Sequence, residues 1–352
     1  MIGKFDIIIQ NRRATYKFTL KRNITILKGN SATGKTLLLD MINTYNSVMN
    51  SGVKVYIDSS IEKNVNIDVM TLRDWRKKDN IDSKTIYFID EYYDFVKTDE
   101  FAEFITEKGI YVVIINRDKL SNLPYSVDEI YTLNTFDGSH KFKPWYVKNL
   151  PQSLPECIIT EDEGSGNQFF KKICDKLNIR CLSAGGNSKI LGELKLNYDG
   201  GKWLVVADGA AIGAHITELV SYCENKDISF YLPESFEWML LNSGTVNVKD
   251  LKAKLEHTYD YLESKEFKSW ERFYTNMIVK GTKMSKHPYS KTVLDDYYVS
   301  EAKTKVILEK SEINFLLDFL EEKTTEVDTE GDNDPNNTSG NTIEKVNKMD
   351  LI

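Results

Sequence analysis

The chain of 352 residues carries 53 Asp and Glu against 46 Lys and Arg, a net charge of −7. Its length suffices for two domains with a substantial core, and its acidic balance excludes a generally basic nucleic-acid coat while leaving room for a local basic groove. Four cysteines without a C-x-x-C pair read as reduced thiols, four histidines lack zinc-ligand spacing, and no apolar run approaches membrane-spanning length. With a start that has no signal-peptide pattern, these features predict a cytoplasmic protein without a membrane partner.

In chain order, 5–9 and 16–20 read as a hairpin. Residues 23–28 read as a short strand entering Gly29-Asn30-Ser31-Ala32-Thr33-Gly34-Lys35-Thr36, and 37–42 as a helix leaving it. Residues 53–58 read as a second core strand. The runs 85–90 and 110–116 are almost continuously apolar, as in strands buried on both faces of a parallel sheet, and 129–133 adds another. With a helix at 99–108, this is the alternation of an open α/β sheet.

Pro144, Pro151 and Pro155 fall close together and predict a boundary, so that 1–145 forms one domain and 146–156 a linker. A smaller α/β domain is expected over 157–245, with strands at 157–160, 179–183, 203–208 and 228–232 and helices at 167–177 and 211–225. Residues 246–322 read as helical, with apolar stripes through Leu251, Leu255, Tyr259 and Leu262 and through Ile313, Leu316, Leu317 and Leu320. The acidic stretch 323–352 is poor in apolar residues over most of its length and is expected to be disordered, though 343–352 is mildly apolar and could dock.

The segment 29–36 fits G-x-x-x-x-G-K-[ST] in the strand–loop–helix setting that this motif requires. Gly29 and Gly34 let successive N–H groups turn toward one anion, and the following helix adds the positive end of its dipole. Lys35 suits the β- and γ-phosphates of a nucleotide, and the Thr36 hydroxyl suits Mg²⁺. The strand ending in Asp90-Glu91 supplies a second Mg²⁺ ligand in Asp90, beside the loop, and a water-activating carboxylate in Glu91. The next buried strand ends at Asn116-Arg117.

Together these residues resemble a P-loop NTPase of the ATPase type, with Asn116 at the sensor position of additional-strand members. The resemblance covers about the first 140 residues. It implies ATP and Mg²⁺ as ligands, with Lys35, Glu91 and Asn116 as catalytic residues. It also implies a homo-oligomer, in which Arg117 would contact phosphate or act across a subunit interface. No Leu-Ser-Gly-Gly-Gln-like signature is present, and without an Asn-Lys-x-Asp motif ATP is expected rather than GTP.

Over 157–235 the chain resembles a Toprim domain, found in primases, topoisomerases and overcoming-lysogenization-defect nucleases. Glu161 matches that family's metal-binding Glu and Asp208 the first Asp of its Asp-x-Asp pair, but Ala210 stands where the second Asp would be. Gly164-Ser165-Gly166, Gly185-Gly186 and Gly200-Gly201 read as ligand loops or ordinary turns. Trp270, Phe273 and Tyr274, with Lys268 and Arg272, fit either nucleic-acid stacking or a packed helix. The expected function is an ATPase whose nucleotide state controls a second domain acting on a partner, a nucleic acid or a protein. The alternatives are an ATPase-regulated Toprim-type nuclease and a nucleotide-regulated assembly protein without turnover.

Overall fold

Alternation of buried and half-exposed residues makes β1 (Phe5–Gln10) and β2 (Thr15–Leu20) an antiparallel hairpin, with Phe5, Ile7 and Ile9 turned to the core. The computed structural model describes residues 1–29, 33–148, 150–151, 153–263 and 265–321, so Asn30, Ser31, Ala32 and the expected disordered tail lie outside the described residues. β3 (Ile24–Lys28) is buried throughout and leads through the glycine loop into α1 (Lys35–Ser47). Next come β4 (Lys54–Ser59), β5 (Asn66–Val69), α2 (Leu72–Trp75), β6 (Thr85–Ile89), α3 (Asp99–Lys108) and β7 (Tyr111–Ile115). The hairpin β8 (Ile130–Phe136) and β9 (Ser139–Pro144) closes the first half. Local chemistry sets the helix ends: Thr71 and Asp74 form a capping box on α2, Thr98 caps α3, and Gly109 ends α3 in the left-handed region.

These strands form one nine-stranded sheet in the order β4-β1-β2-β9-β8-β3-β7-β6-β5, in which β8, β3, β7, β6 and β5 run parallel. The apolar runs at 85–90 and 110–116 are buried central strands, as expected. The run at 53–58 is not a core strand. As β4 it pairs only with β1 at the sheet's edge, and its alternate residues Lys54, Tyr56 and Asp58 are exposed. Its apolar residues line one half-buried face, which the sequence pattern alone does not distinguish from full burial.

The second half contains β10 (Cys157–Thr160), α4 (Ser165–Leu177), β11 (Arg180–Ser183), α5 (Ile190–Asn197), β12 (Trp203–Val206), α6 (Gly213–Cys223) and β13 (Ile228–Tyr231). Its strands make a wholly parallel sheet ordered β11-β10-β12-β13. α7 (Phe236–Asn242), α8 (Leu251–Glu256), α9 (Trp270–Thr282), α10 (Glu301–Lys310) and a helix at 314–321 follow. The stripe read through Tyr259 is broken, because α8 ends at Glu256 and Tyr259 sits in a short 3₁₀ turn whose carbonyl accepts from the N–H of Gly3 at 2.8 Å.

The alternation of side chains explains how the two sheets are joined. Ile24, Ile26, Tyr87, Ile89, Val112 and Ile114 leave the first sheet on one face, while Leu27, Ile86, Phe88, Val113 and Ile115 leave it on the other toward α1. Cys157, Ile159, Trp203 and Val205 leave the second sheet toward that first group, and Ile158, Leu204 and Val206 point away toward the C-terminal helices. A single apolar layer, filled by residues of α3, α5 and α6, therefore lies between the sheets and belongs to both halves. The connection over 146–156 is no free tether, since Tyr146 packs on this layer and Leu150 and Leu154 pack on the C-terminal core.

Polar ties reinforce the layer. Arg22 donates through Nη2 to both oxygens of Glu234 at 2.7 and 2.8 Å, lies 3.8 Å from Glu129 and stacks 3.7 Å over Trp270. Arg22 is buried, so removing a partner would cost about 3–5 kcal/mol. The exposed Lys119–Glu218 pair across the same junction contributes about 0–1 kcal/mol. Of the two readings of Trp270, Phe273 and Tyr274, the packed helix holds: Phe273 and Tyr274 are buried and Trp270 is covered by Arg22.

Ile159→Ala, in the shared layer, is expected to cost about 2–5 kcal/mol. Trp75 of the first half and Trp203 of the second should report one coincident, shifted transition in urea. Two separated transitions would show that the layer does not couple the halves.

Candidate functional site

Strand register determines which residues meet. β3 and β7 pair Leu27 with Ile115, and β6 and β7 pair Ile89 with Ile114. Lys28 is therefore level with Asn116, and Asp90 with Ile115, so the glycine loop, Asn116-Arg117 and Asp90-Glu91 all leave the sheet from its carboxyl edge. β7 lies between β3 and β6, which puts Asn116 rather than Asp90 on the strand next to the loop. Asp90 is two strand spacings from β3, about 10 Å at the usual spacing, on the same carboxyl edge as the loop.

The loop itself is braced at both ends. Gly29 and Gly34 take φ of 141° and 95°, values that L side chains rarely adopt. The Lys35 ammonium folds over the loop, donating to the carbonyl of Gly29 at 2.9 Å and to the Thr33 hydroxyl at 3.0 Å. Burial lowers the pKa of Lys35, the neighbouring Arg117 guanidinium lowers it further, and Glu91 and Asp90 oppose both. Such a cation, resting on neutral acceptors, is matched better by an anion.

At the other end, the Tyr16 hydroxyl donates to the Gly34 carbonyl at 2.7 Å, and His140 stacks on the Tyr16 ring with centroids 4.3 Å apart. A Cβ at position 34 would come within 2.9 Å of His140 and 3.0 Å of Tyr16. Thr135 joins this brace through the His140 ring nitrogen at 2.8 Å. Tyr16, Thr135 and His140 carry no motif, and the pairings of β2 with β9 and of β8 with β9 bring them together at the loop.

Thr36 is exposed in the first turn of α1, where no acidic residue competes for the helix N-terminus. Asp90 is half-buried and accepts from the Glu91 N–H at 2.6 Å. Burial raises its pKa, Glu91 and Asp40 add to that, and Lys35 and the N–H bond oppose it. A carboxylate crowded in this way favours a bound cation. Glu91 pairs with Arg117, Oε2 to Nε at 3.1 Å and Oε1 to Nη2 at 3.5 Å. Asn116 is buried, and its Oδ1 accepts from the Asp118 N–H at 2.8 Å. Lys35, Thr36, Asp90, Glu91 and Asn116 thus share one edge with Gly29, Thr33 and Gly34, while Asn30, Ser31 and Ala32 lie outside the described residues.

Glu161 and Asp208 follow the adjacent strands β10 and β12 and do meet, for Glu161 Oε2 accepts from the Asp208 N–H at 2.9 Å. Asp162 instead caps the start of α4 through the Asn167 N–H at 3.0 Å. Glu237 and Lys291 line the same cleft. Burial raises the pKa of Asp208, and Glu161, Glu271 and Glu237 raise it further against Lys291. Lys291 is ion-paired with Glu271, and its carbonyl accepts from the Ser165 N–H at 2.9 Å. Burial pulls its pKa down, but Glu237 and Glu271 more than offset that and hold the ammonium charged. Among the described residues no group of three or more Asp, Glu, His or Cys is arranged to hold a metal ion. Glu237, Glu271 and Lys291 are scattered in the sequence and gave no signal. Gly164-Ser165-Gly166 opens α4 and is closely packed, since a Cβ on Gly164 would come within 2.3 Å of the Lys291 carbonyl.

Comparison with protein-family models, with curated proteins and with solved structures returns no match. The geometry of this chain alone therefore carries the functional argument.

The cleft makes a pH prediction. Burial raises the folded-state pKa of Glu161 from 4.5 to about 7. The folded state then binds the proton more tightly than the unfolded state, and this contribution to stability is lost as pH rises through that window. Glu161→Gln retains an acceptor for the Asp208 N–H and should raise the urea midpoint at pH 8 relative to wild type, with less gain at pH 5. An equal change at both values would show that Glu161 ionisation does not set the dependence.

Proposed function

We propose that the first half binds ATP with Mg²⁺ and hydrolyses it, and that its nucleotide state governs how the second half engages a partner, a nucleic acid or a protein. The observation that carries this reading is the convergence, on one carboxyl edge, of a glycine loop closed by Lys35 with Asp90, Glu91 and Asn116.

The loop amides and Lys35 bind and orient the phosphates, with the ammonium exchanging its neutral acceptors for phosphate oxygens. Thr36 and Asp90 are the residues that would hold Mg²⁺, which supplies charge neutralisation at the phosphates. Crowding of Asp90 by Glu91 and Asp40 fits it for that cation. Glu91 accepts the proton of the attacking water. Asn116, on the strand between the loop and Asp90, is placed to orient that water or a phosphate oxygen.

Coupling to the second half has a short path. Lys28, one residue before Gly29, is hydrogen-bonded to Thr217 of α6 and lies 4.9 Å from the Trp145 ring. This contact supports a route by which a rearrangement of the loop would reach a helix of the other half. The nuclease alternative has less support, because Ala210 replaces one expected ligand and Lys291 already supplies a cation to the cleft.

Lys35→Ala should reduce Mg²⁺-dependent phosphate release from ATP to background, and Glu91→Gln should slow it by about 10²–10⁴-fold with ATP still bound. Equal background release by the wild type and Lys35→Ala would sink the hydrolysis claim.

A further inference from the structure

We propose that Cys174 and Cys181 form a redox-active pair, in which a peroxide oxidises the Cys181 thiol and Cys174 then closes a disulfide with it. The pair belongs to the second half and stands apart from the nucleotide reading.

Strand alternation brings the two thiols together. β10 and β11 pair Ile158 with Cys181, so Cys181 leaves the sheet on the same face as Ile158, toward α4 and the C-terminal helices. α4 buries Phe170, Cys174 and Leu177, about one turn apart, against that face. The return from α4 to β11 is tight: Asn178 takes φ of 57°, and the Ile179 N–H donates to the Cys174 carbonyl at 3.0 Å. The Cys174 and Cys181 side chains meet there in a thiol–thiol hydrogen bond.

The two sulfurs are not equivalent. β11 is an edge strand of its sheet, and Cys181 is half-buried there, whereas Cys174 is fully buried. A small oxidant thus reaches Cys181 first. The hydrogen bond from Cys174 lowers the Cys181 pKa, and Lys171 lowers it further, against burial and Asp175. The same bond, with burial, raises the Cys174 pKa. An accessible thiolate beside a protonated partner is the arrangement of an attacking and a resolving thiol. Cys157 and Cys223 differ from this pair: both are buried, and burial pushes each thiol up to about 12. Cys157 also points into the layer between the sheets, away from the face that carries Cys181.

Oxidation proceeds in two balanced steps. The Cys181 thiolate attacks one oxygen of hydrogen peroxide; an S–O bond forms, the O–O bond breaks, and the departing hydroxide takes up a proton to give water. The Cys174 sulfur then attacks the Cys181 sulfenic sulfur; the S–S bond forms, the S–O bond breaks, and hydroxide leaves with the Cys174 proton as a second water. The two thiols lose two electrons and the peroxide gains them. The product staples α4 to the edge strand β11, and a dithiol reductant restores both thiols.

The test uses the reduced full chain, treated with hydrogen peroxide at a dose that oxidises glutathione, with the intact mass read before and after dithiothreitol. The wild type should lose two hydrogens, show residues 174 and 181 linked in a non-reduced peptide map, and recover with dithiothreitol. Cys174→Ser should stop at the sulfenic acid, a gain of one oxygen at Cys181 that dimedone traps. Cys181→Ser should give neither product, and Cys157→Ser combined with Cys223→Ser should keep the disulfide. An unchanged wild-type mass, a bridge from either thiol to Cys157 or Cys223, or a Cys181→Ser variant oxidised at Cys174 as readily as the wild type would overturn the inference.

Discussion

The apolar layer between the two sheets is the constraint on which the other features depend. Period-two alternation sends Ile26, Ile89 and Val112 from one sheet and Ile159 and Val205 from the other into the same space. Neither sheet can bury its inner face without its counterpart, so strand orientation in each is fixed by the requirement to face the other. A one-residue slip in β3 would turn Ile24 and Ile26 out of the layer and carry Lys28 out of register with Asn116. Packing and site geometry are thus set by the same register.

The two charged edges of the molecule are organised in opposite ways. At the glycine loop, Lys35 donates to the Gly29 carbonyl and the Thr33 hydroxyl, and Arg117 pairs with Glu91. In the second cleft, Glu161, Asp208, Glu237 and Glu271 are gathered around Lys291. In the proposed reading, a phosphate from outside joins the first arrangement. The second carries a counter-charge, Lys291, within the fold.

The parts legible in the sequence are those in which local pattern and chemistry coincide. The strand–loop–helix around Gly29–Thr36, the buried strands ending at Asp90 and Asn116, and the four strands of the second sheet all follow from short-range periodicity. Less visible was anything decided by pairing between distant segments. The edge position of β4 depends on its pairing with β1, and the brace on Gly34 depends on β9 lying beside β2. The cleft around Lys291 assembles residues more than a hundred positions apart, each an unremarkable charged residue in its own segment. The proline cluster marked the connection between the sheets, but composition does not reveal that apolar residues on both sides of it fill one layer.

That shared layer also bears on how the chain is made. The inner face of the first sheet is complete in sequence once β8 has emerged, and α3 can cover part of it, yet the rest of its cover comes from β10, β12 and α6, ending at Cys223. At about 5–20 residues per second, several seconds separate the emergence of Ile26, Ile89, Val112 and Ile114 from that of the second sheet. Parallel pairing of distant strands is slow as well. Synthesis therefore passes through a stage in which part of this apolar face has emerged before the elements of the second half that cover it.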